Sequence, residues 1–164
     1  MEKKYILTDE TIEYLGHTLH RIKAVKDFAT ISAGTLGGYI ESEKNLDHDG
    51  NAWVSGNAWV TDDAMVTGDA MVTGNAWVTD DARVTGNAMV RETSDIALIK
   101  GFGSKLRATS FFRCVDGLVR CQCGCFYGTV DEFRSKVRET HGNSKYAKEY
   151  LMIADLMELH FKED

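Results

Sequence analysis

The chain has 164 residues, 43% of them hydrophobic, and a formal net charge of −6, enough material for one compact domain or two small ones. Its apolar runs fall far short of a membrane-spanning helix and the N-terminus lacks the apolar segment of a secretory signal, so a cytoplasmic protein with no membrane partner is expected. The acid excess lies in residues 1–91, with 8 Lys/Arg against 14 Asp/Glu; direct nucleic-acid binding is not expected there, because phosphate contacts need basic patches.

In chain order, residues 4–7 and 18–24 read as two strands with a polar link, expected to form an N-terminal β-hairpin cap over residues 1–30. An irregular coil is expected to start near Ile31, with a turn at Gly37-Gly38 and with Ile40 and Leu46 at small inward positions.

Residues 57–74 and 75–92 match at fourteen of eighteen positions, and each eighteen-residue unit is three copies of a six-residue unit, roughly A-[WMR]-V-T-[GD]-[ND]. A sixfold unit inside an eighteenfold period describes a chain winding around a three-sided prism, each unit burying its apolar residues by stacking on its neighbours. Alternation puts the recurring Ala and Val inward, while Gly, Asn and Asp make the corners. An array of antiparallel hairpins is the alternative. The outward positions stack eighteen apart: Trp53, Met71 and Met89 on one face, Trp59 over Trp77 on a second, Met65 over Arg83 on the third. Such apolar strips mark a contact surface for a partner or another copy, or are covered by the chain's own flanks. Asp62 over Asp80 and Asp63 over Asp81 make acidic corners that read as solubilising turns, as a cation site or as a surface mimicking nucleic-acid charge.

After Val90 the repeat breaks. Residues 95–102 and 105–114 look extended, and Asp116-Gly117 signals a hairpin. A two-residue turn there would set Cys114 against Val119 and Phe112 against Cys121, with Cys114, Cys121, Cys123 and Cys125 on one face. Steps of nearly 7 Å between alternate thiols suit zinc poorly, and there is no C-x-x-C pair, so buried thiols and no metal or cofactor are expected. Thr129 and Glu132 form a capping box opening a helix to about Thr140; Ser144 caps a second to about Phe161, whose apolar face is traced by Tyr146, Tyr150, Ile153, Met157 and Phe161, widened by Leu151, Ala154 and Leu156. Residues 93–164 thus read as an α+β region of antiparallel strands and two helices. Lys100, Lys105, Arg107, Arg113 and Arg120 cluster on its strands and could converge on a phosphate-bearing ligand.

The repeat fits the hexapeptide pattern at Val60-Thr61-Asp62-Asp63-Ala64-Met65, with Thr at its second position as the one departure, and so resembles the left-handed parallel β-helix of hexapeptide-repeat proteins. That resemblance implies the handedness of a short β-helix over residues 31–92. The acyltransferases of this class use a histidine base, yet residues 51–90 contain none; His48, His17, His20, His141 and His160 lie outside, with His48 read as a corner residue and His141 as a capping residue. Through Arg21-Ile22-Lys23-Ala24, Leu36-Gly37-Gly38-Tyr39-Ile40-Glu41, the Asn-Ala-Trp-Val units, Gly124-Cys125-Phe126-Tyr127-Gly128-Thr129 and His141-Gly142-Asn143, nearly the whole chain resembles phage- and prophage-encoded hexapeptide-repeat proteins loosely labelled polymer-forming cytoskeletal. The resemblance implies a non-enzymatic accessory binding protein, a homo-oligomer in the cytoplasm of a bacterial host. Such a protein would antagonise antiviral defence by binding a host protein or sequestering a nucleotide signal. An acyltransferase and a purely structural oligomerisation module are the alternatives.

Overall fold

The computed structural model describes residues 2–163. Two long strands, β1 (Tyr5–Tyr14) and β2 (His17–Ala24), precede β3 (Leu36–Ile40). Seven two-residue strands follow: β4 (Trp53–Val54), β5 (Trp59–Val60), β6 (Met65–Val66), β7 (Met71–Val72), β8 (Trp77–Val78), β9 (Arg83–Val84) and β10 (Met89–Val90). The chain ends with β11 (Ile96–Ile99), β12 (Thr109–Arg113), β13 (Val119–Cys123), β14 (Phe126–Thr129), α1 (Val130–His141) and α2 (Lys145–His160).

The regular left-handed parallel β-helix expected over residues 31–92 is corrected by this topology. The short strands are divided among three small separate sheets, ordered β1-β2-β3-β5-β8, β10-β7-β4 and β6-β9. The first is mixed: β1, β2 and β3 pair antiparallel before β3 meets β5 in parallel. A fourth sheet, β11-β12-β13-β14, is antiparallel throughout. What persists from the repeat is its register, because residues eighteen apart pair in parallel, Trp59 with Trp77 and Trp53 with Met71 with Met89. The corners explain the brevity of the strands. Asp62 and Gly68 stand at φ of 56° and 68°, in left-handed backbone that breaks a ladder, and such corners leave only two residues of each six extended.

Ala and Val of every hexad are buried, in one cluster from Ala52 to Val90, and each Val contributes about 1.5–3 kcal/mol gross. Upstream the register changes. Ile40 pairs with Val60 and Leu46 bridges to Val66, both twenty residues apart, so these two occupy the valine position and not the small one. A short 3-10 turn (Glu43–Asn45) and a two-residue insertion before Trp53 absorb the difference. Buried Asn45 secures this irregular stretch by donating to the carbonyls of Asp62 and Ala64 at 3.0 and 2.9 Å.

The N-terminal hairpin is longer than the sequence predicts, since the supposed link is strand, with a register shift between Leu7 and Thr11. It does more than cap, because β2 and β3 make it a continuation of the β5-β8 sheet. At the other end, Ile96, Leu98, Phe112 and Cys114 face the repeat core, whereas Ala97, Ile99, Phe111 and Cys121 face the helices. This alternation makes the fourth sheet a partition between two cores. Thr129 accepts from the Glu132 amide and Ser144 from the Ala147 amide, so both helices start at their capping residues.

Candidate functional site

The outward strips of the repeat do not form one free surface. Trp53 is fully buried, its ring between Phe28 at 5.4 Å and Tyr5 at 6.4 Å, so its expected place on a partner interface is corrected. Its own flank covers it, as a large apolar side chain in water would favour. Met71 and Met89 continue that column half-buried, and Met65 is likewise half-buried with its sulfur 3.2 Å from the Arg83 guanidinium. Trp59 and Trp77 stack within 2° of parallel at 5.1 Å, and Tyr14 at the end of β1 packs on both, at 4.8 and 5.2 Å. The acidic corners are partly neutralised: Lys44 meets Asp63 at 2.9 Å, Lys100 meets Asp81, and the Asp80 amide donates to Asp62 at 3.3 Å.

The five basic residues of the post-repeat strands also separate. Lys100 is held by Asp81; Arg113 pairs with Asp95 at 3.0 Å and lies over the Phe161 ring; Arg120 makes a two-pronged contact with Asp116 at 2.8 and 2.7 Å. That contact holds the Asp116 carboxyl down at about 2. Lys105 and Arg107 have no carboxylate within 4.0 Å among the described residues. These two line a cavity of about 300 Å³, at the lower end of sites for drug-sized ligands.

Four pieces of chain build this cavity, the fourth being α2 through Tyr150. The glycine-flanked 101–108 loop brings Lys105 and Arg107, anchored where the Gly103 amide donates to Glu149 at 2.9 Å. Helix α1 brings Lys136 and His141, and the β13–β14 hairpin brings Cys123 and Cys125. Phe126, Phe133 and Tyr150 supply aromatic wall, the last two packed edge-on at 5.6 Å. Burial pushes the Tyr150 hydroxyl up to about 12, keeping it a neutral donor. No carboxylate lines the cavity. Two cations without a carboxylate partner among the described residues, Lys136 (paired with Glu139 at 3.0 Å) and an imidazole around aromatic rings can hold an anion that also carries a flat ring. Lys136 lies outside the strand cluster singled out from the sequence, one of several helix cations there, and His141, expected as a cap, ends α1 and packs on Tyr150 at 5.8 Å.

The four thiols do not share a face. The Asp116-Gly117 turn is one residue longer than expected: the Cys114 amide donates to Leu118, Gly117 sits at φ 79°, and Arg113 pairs with Val119, Phe111 with Cys121. A slip of one residue reverses every side chain. Cys114 therefore joins the repeat core while Cys121 lies under the helices, its thiol pushed far up by burial. Cys123 is half-buried and Cys125 exposed.

A smaller cluster lies beside the β1–β2 hairpin. His17 places Nδ1 3.1 Å from Glu41 and Nε2 3.7 Å from Asp62, and the Asp62 amide donates to Glu41 at 2.7 Å. The hydrogen bond to Glu41 raises the histidine, and the same bond, with the Asp62 amide, lowers Glu41. The three groups are close enough to hold a cation, but the carboxylates approach opposite ring nitrogens. That is how an imidazolium is clamped, not how one ion is shared. The remaining histidines are engaged too: His48 stacks on Tyr5 at 4.2 Å, while His20 and His160 meet the carbonyls of Thr8 and Ser94. Among the described residues no helix is long and apolar enough to cross a membrane. Comparison with protein-family models and with curated proteins gives no match.

Proposed function

We propose that this protein acts by binding, not catalysis, and that it holds a phosphate-bearing, nucleotide-like ligand in the cavity between the 101–108 loop and α1. The observation that carries the reading is the convergence of Lys105, Arg107, Lys136 and His141 on an aromatic-walled cavity with no lining carboxylate. The resemblance to phage-encoded proteins supplies the setting: a cytoplasmic, self-associating accessory protein of a bacterial host cell that sequesters a nucleotide signal of antiviral defence. Capture of a defence protein through the tryptophan and methionine strips has less support, because Trp53 is covered and the other strip residues, Trp77 and Arg83 apart, are at least half-buried.

Calorimetric titration with AMP, cyclic mononucleotides, cyclic dinucleotides and acetyl-CoA tests this, with chromatography of each mixture for products. Arg107→Ala should weaken nucleotide binding by roughly 10- to 100-fold, as the loss of a charge-assisted pair implies. Bound nucleotide should also shield the exposed Cys125 thiol from alkylation. No binding across the series, or an unchanged affinity in Arg107→Ala, would overturn the assignment; acetyl-CoA turnover would replace it with an enzyme.

A further inference from the structure

The cleft beneath the β1–β2 turn has its own chemistry, unrelated to the basic cavity. It encloses about 190 Å³, and its walls are Tyr14, Trp59 and Trp77, with Asp62 and the His17 ring that Asp62 holds at one side. Asp62 stands at the head of an acidic group. Glu41 is behind it, with its second oxygen bound to the Asp62 amide, and Asp80 is below, its amide on the Asp62 carboxylate. Two carboxylates, Glu41 and Asp62, thus meet one histidine with Asp80 beside them, and the neighbouring lysines, Lys44 and Lys100, are committed to Asp63 and Asp81. Even with His17 protonated the group keeps an excess of negative charge. Across the cleft the Trp77 ring is 40% exposed, and Leu15 stands 83% exposed at φ 48° on the rim.

Aromatic rings attract a cation through their negative faces, and a neighbouring carboxylate group whose charge the single His17 only partly offsets adds to that attraction. A neutral apolar ligand would gain only from the rings, and an anion would be repelled. We propose that the Tyr14, Trp59, Trp77 and Asp62 cleft is a second binding site, taking a small organic cation, an ammonium or guanidinium group. Free amines and the side chains of a partner protein share this chemistry, and the cleft is too small for a nucleotide to be its occupant.

Quenching of tryptophan fluorescence reads the site directly, because Trp59 and Trp77 form its wall. The probes are tetramethylammonium, choline and guanidinium, with 3,3-dimethylbutanol as the uncharged match for choline. Short peptides carrying one lysine, trimethyllysine or arginine separate a protein side chain from a free amine. Choline or one of the other cations should bind at least about tenfold more tightly than 3,3-dimethylbutanol. Asp62→Asn should remove most of that preference, and asparagine tolerates the left-handed backbone at this corner, so the fold is retained. Trp77→Ala, at a half-exposed site, should abolish binding while leaving nucleotide titration of the other cavity unchanged. Equal affinity for the alcohol, full cation binding in Asp62→Asn, or no saturable response to any cation by the wild type would each overturn the proposal.

Discussion

Trp53 shows how a residue's neighbours decide its role. Its hexad position makes it an outward residue, yet Tyr5 and Phe28 close over it and its indole nitrogen is left buried without a partner. An unpaired buried donor costs about 1–3 kcal/mol, while loss of the whole ring leaves a cavity costing about 3–5 kcal/mol. Trp53→Ala should therefore lower the stability read by denaturant unfolding by several kcal/mol. Trp53→Phe should cost only about 1 kcal/mol, because it removes the orphaned N–H along with the extra volume. Equal losses would mean the nitrogen is satisfied. His17 offers a second test. Its folded pKa lies above the unfolded value of about 6.5, so the clamp stabilises fully below about 6.5 and its benefit is lost as pH rises through the folded value. The stability difference between wild type and His17→Gln should be largest near pH 5.5 and shrink toward pH 8; a difference that grows with pH would exclude the clamp. At this scale the sequence displayed the basic residues but not their freedom. The Asp116–Arg120 pair lies within one short segment and could be suspected, whereas Lys105 and Arg107 differ from Lys100 only in where the loop carries them.

The elements follow local chemistry where it is self-contained and depart from it where a count of turn residues matters. Thr129 and Ser144 mark helix starts because a capping hydroxyl needs nothing beyond its own first turn. The Asp116-Gly117 hairpin was legible as a turn, but whether two or three residues form it depends on how the strands pack. That one residue decides which core receives Cys114. Helix α2 shows the same dependence. Tyr150, Ile153, Ala154, Met157 and Phe161 of the expected face are buried, but Tyr146 and Leu156, also assigned to it, are exposed, and Ala147, not assigned to it, is buried. Gly37-Gly38, read as a turn, is instead in β3, and the reason is steric. A Cβ on Gly38 would lie 2.6 Å from the Ala58 carbonyl oxygen, a backbone atom of the adjoining repeat strand that cannot step aside. Gly38→Ala should lose about 1–3 kcal/mol through overpacking, whereas Gly16→Ala, in open space at φ 87°, bears only the backbone strain of its turn. Thermal unfolding of the two variants should show the larger drop for Gly38, and the reverse order would mean that β3 is not held so close to the repeat.

Over the whole molecule, the eighteen-residue period was visible in the sequence and governs the pairing register, but regular coils did not follow from it. Both ends of the repeat are engaged by flanking sheet, which mixes antiparallel strands into the architecture and uses up the apolar strips meant for partners. On the proposal that the chain self-associates, the surface for it lies elsewhere. Met152, Leu156 and Leu159 are 72, 52 and 70% exposed, and at spacings of four and three they line one side of α2. Lys145 and Lys148 stand near the start of that helix, and Asp155, Glu158 and Glu163 toward its end, where Arg134 of the same chain offsets one of the charges by meeting Asp155 and Glu158 at 2.9 and 2.7 Å. A second copy related by a two-fold axis would lay the helices antiparallel, apolar side to apolar side, with the basic end of each beside the acidic end of the other. Light scattering should then give twice the chain mass, with the dimer weakened by salt. Leu156→Glu with Leu159→Glu should yield a monomer of unchanged melting temperature, since neither leucine contributes to the helix core. A wild type of single-chain mass, or a double variant that remains dimeric, would show that α2 does not form this interface and that its apolar side meets something other than a second copy.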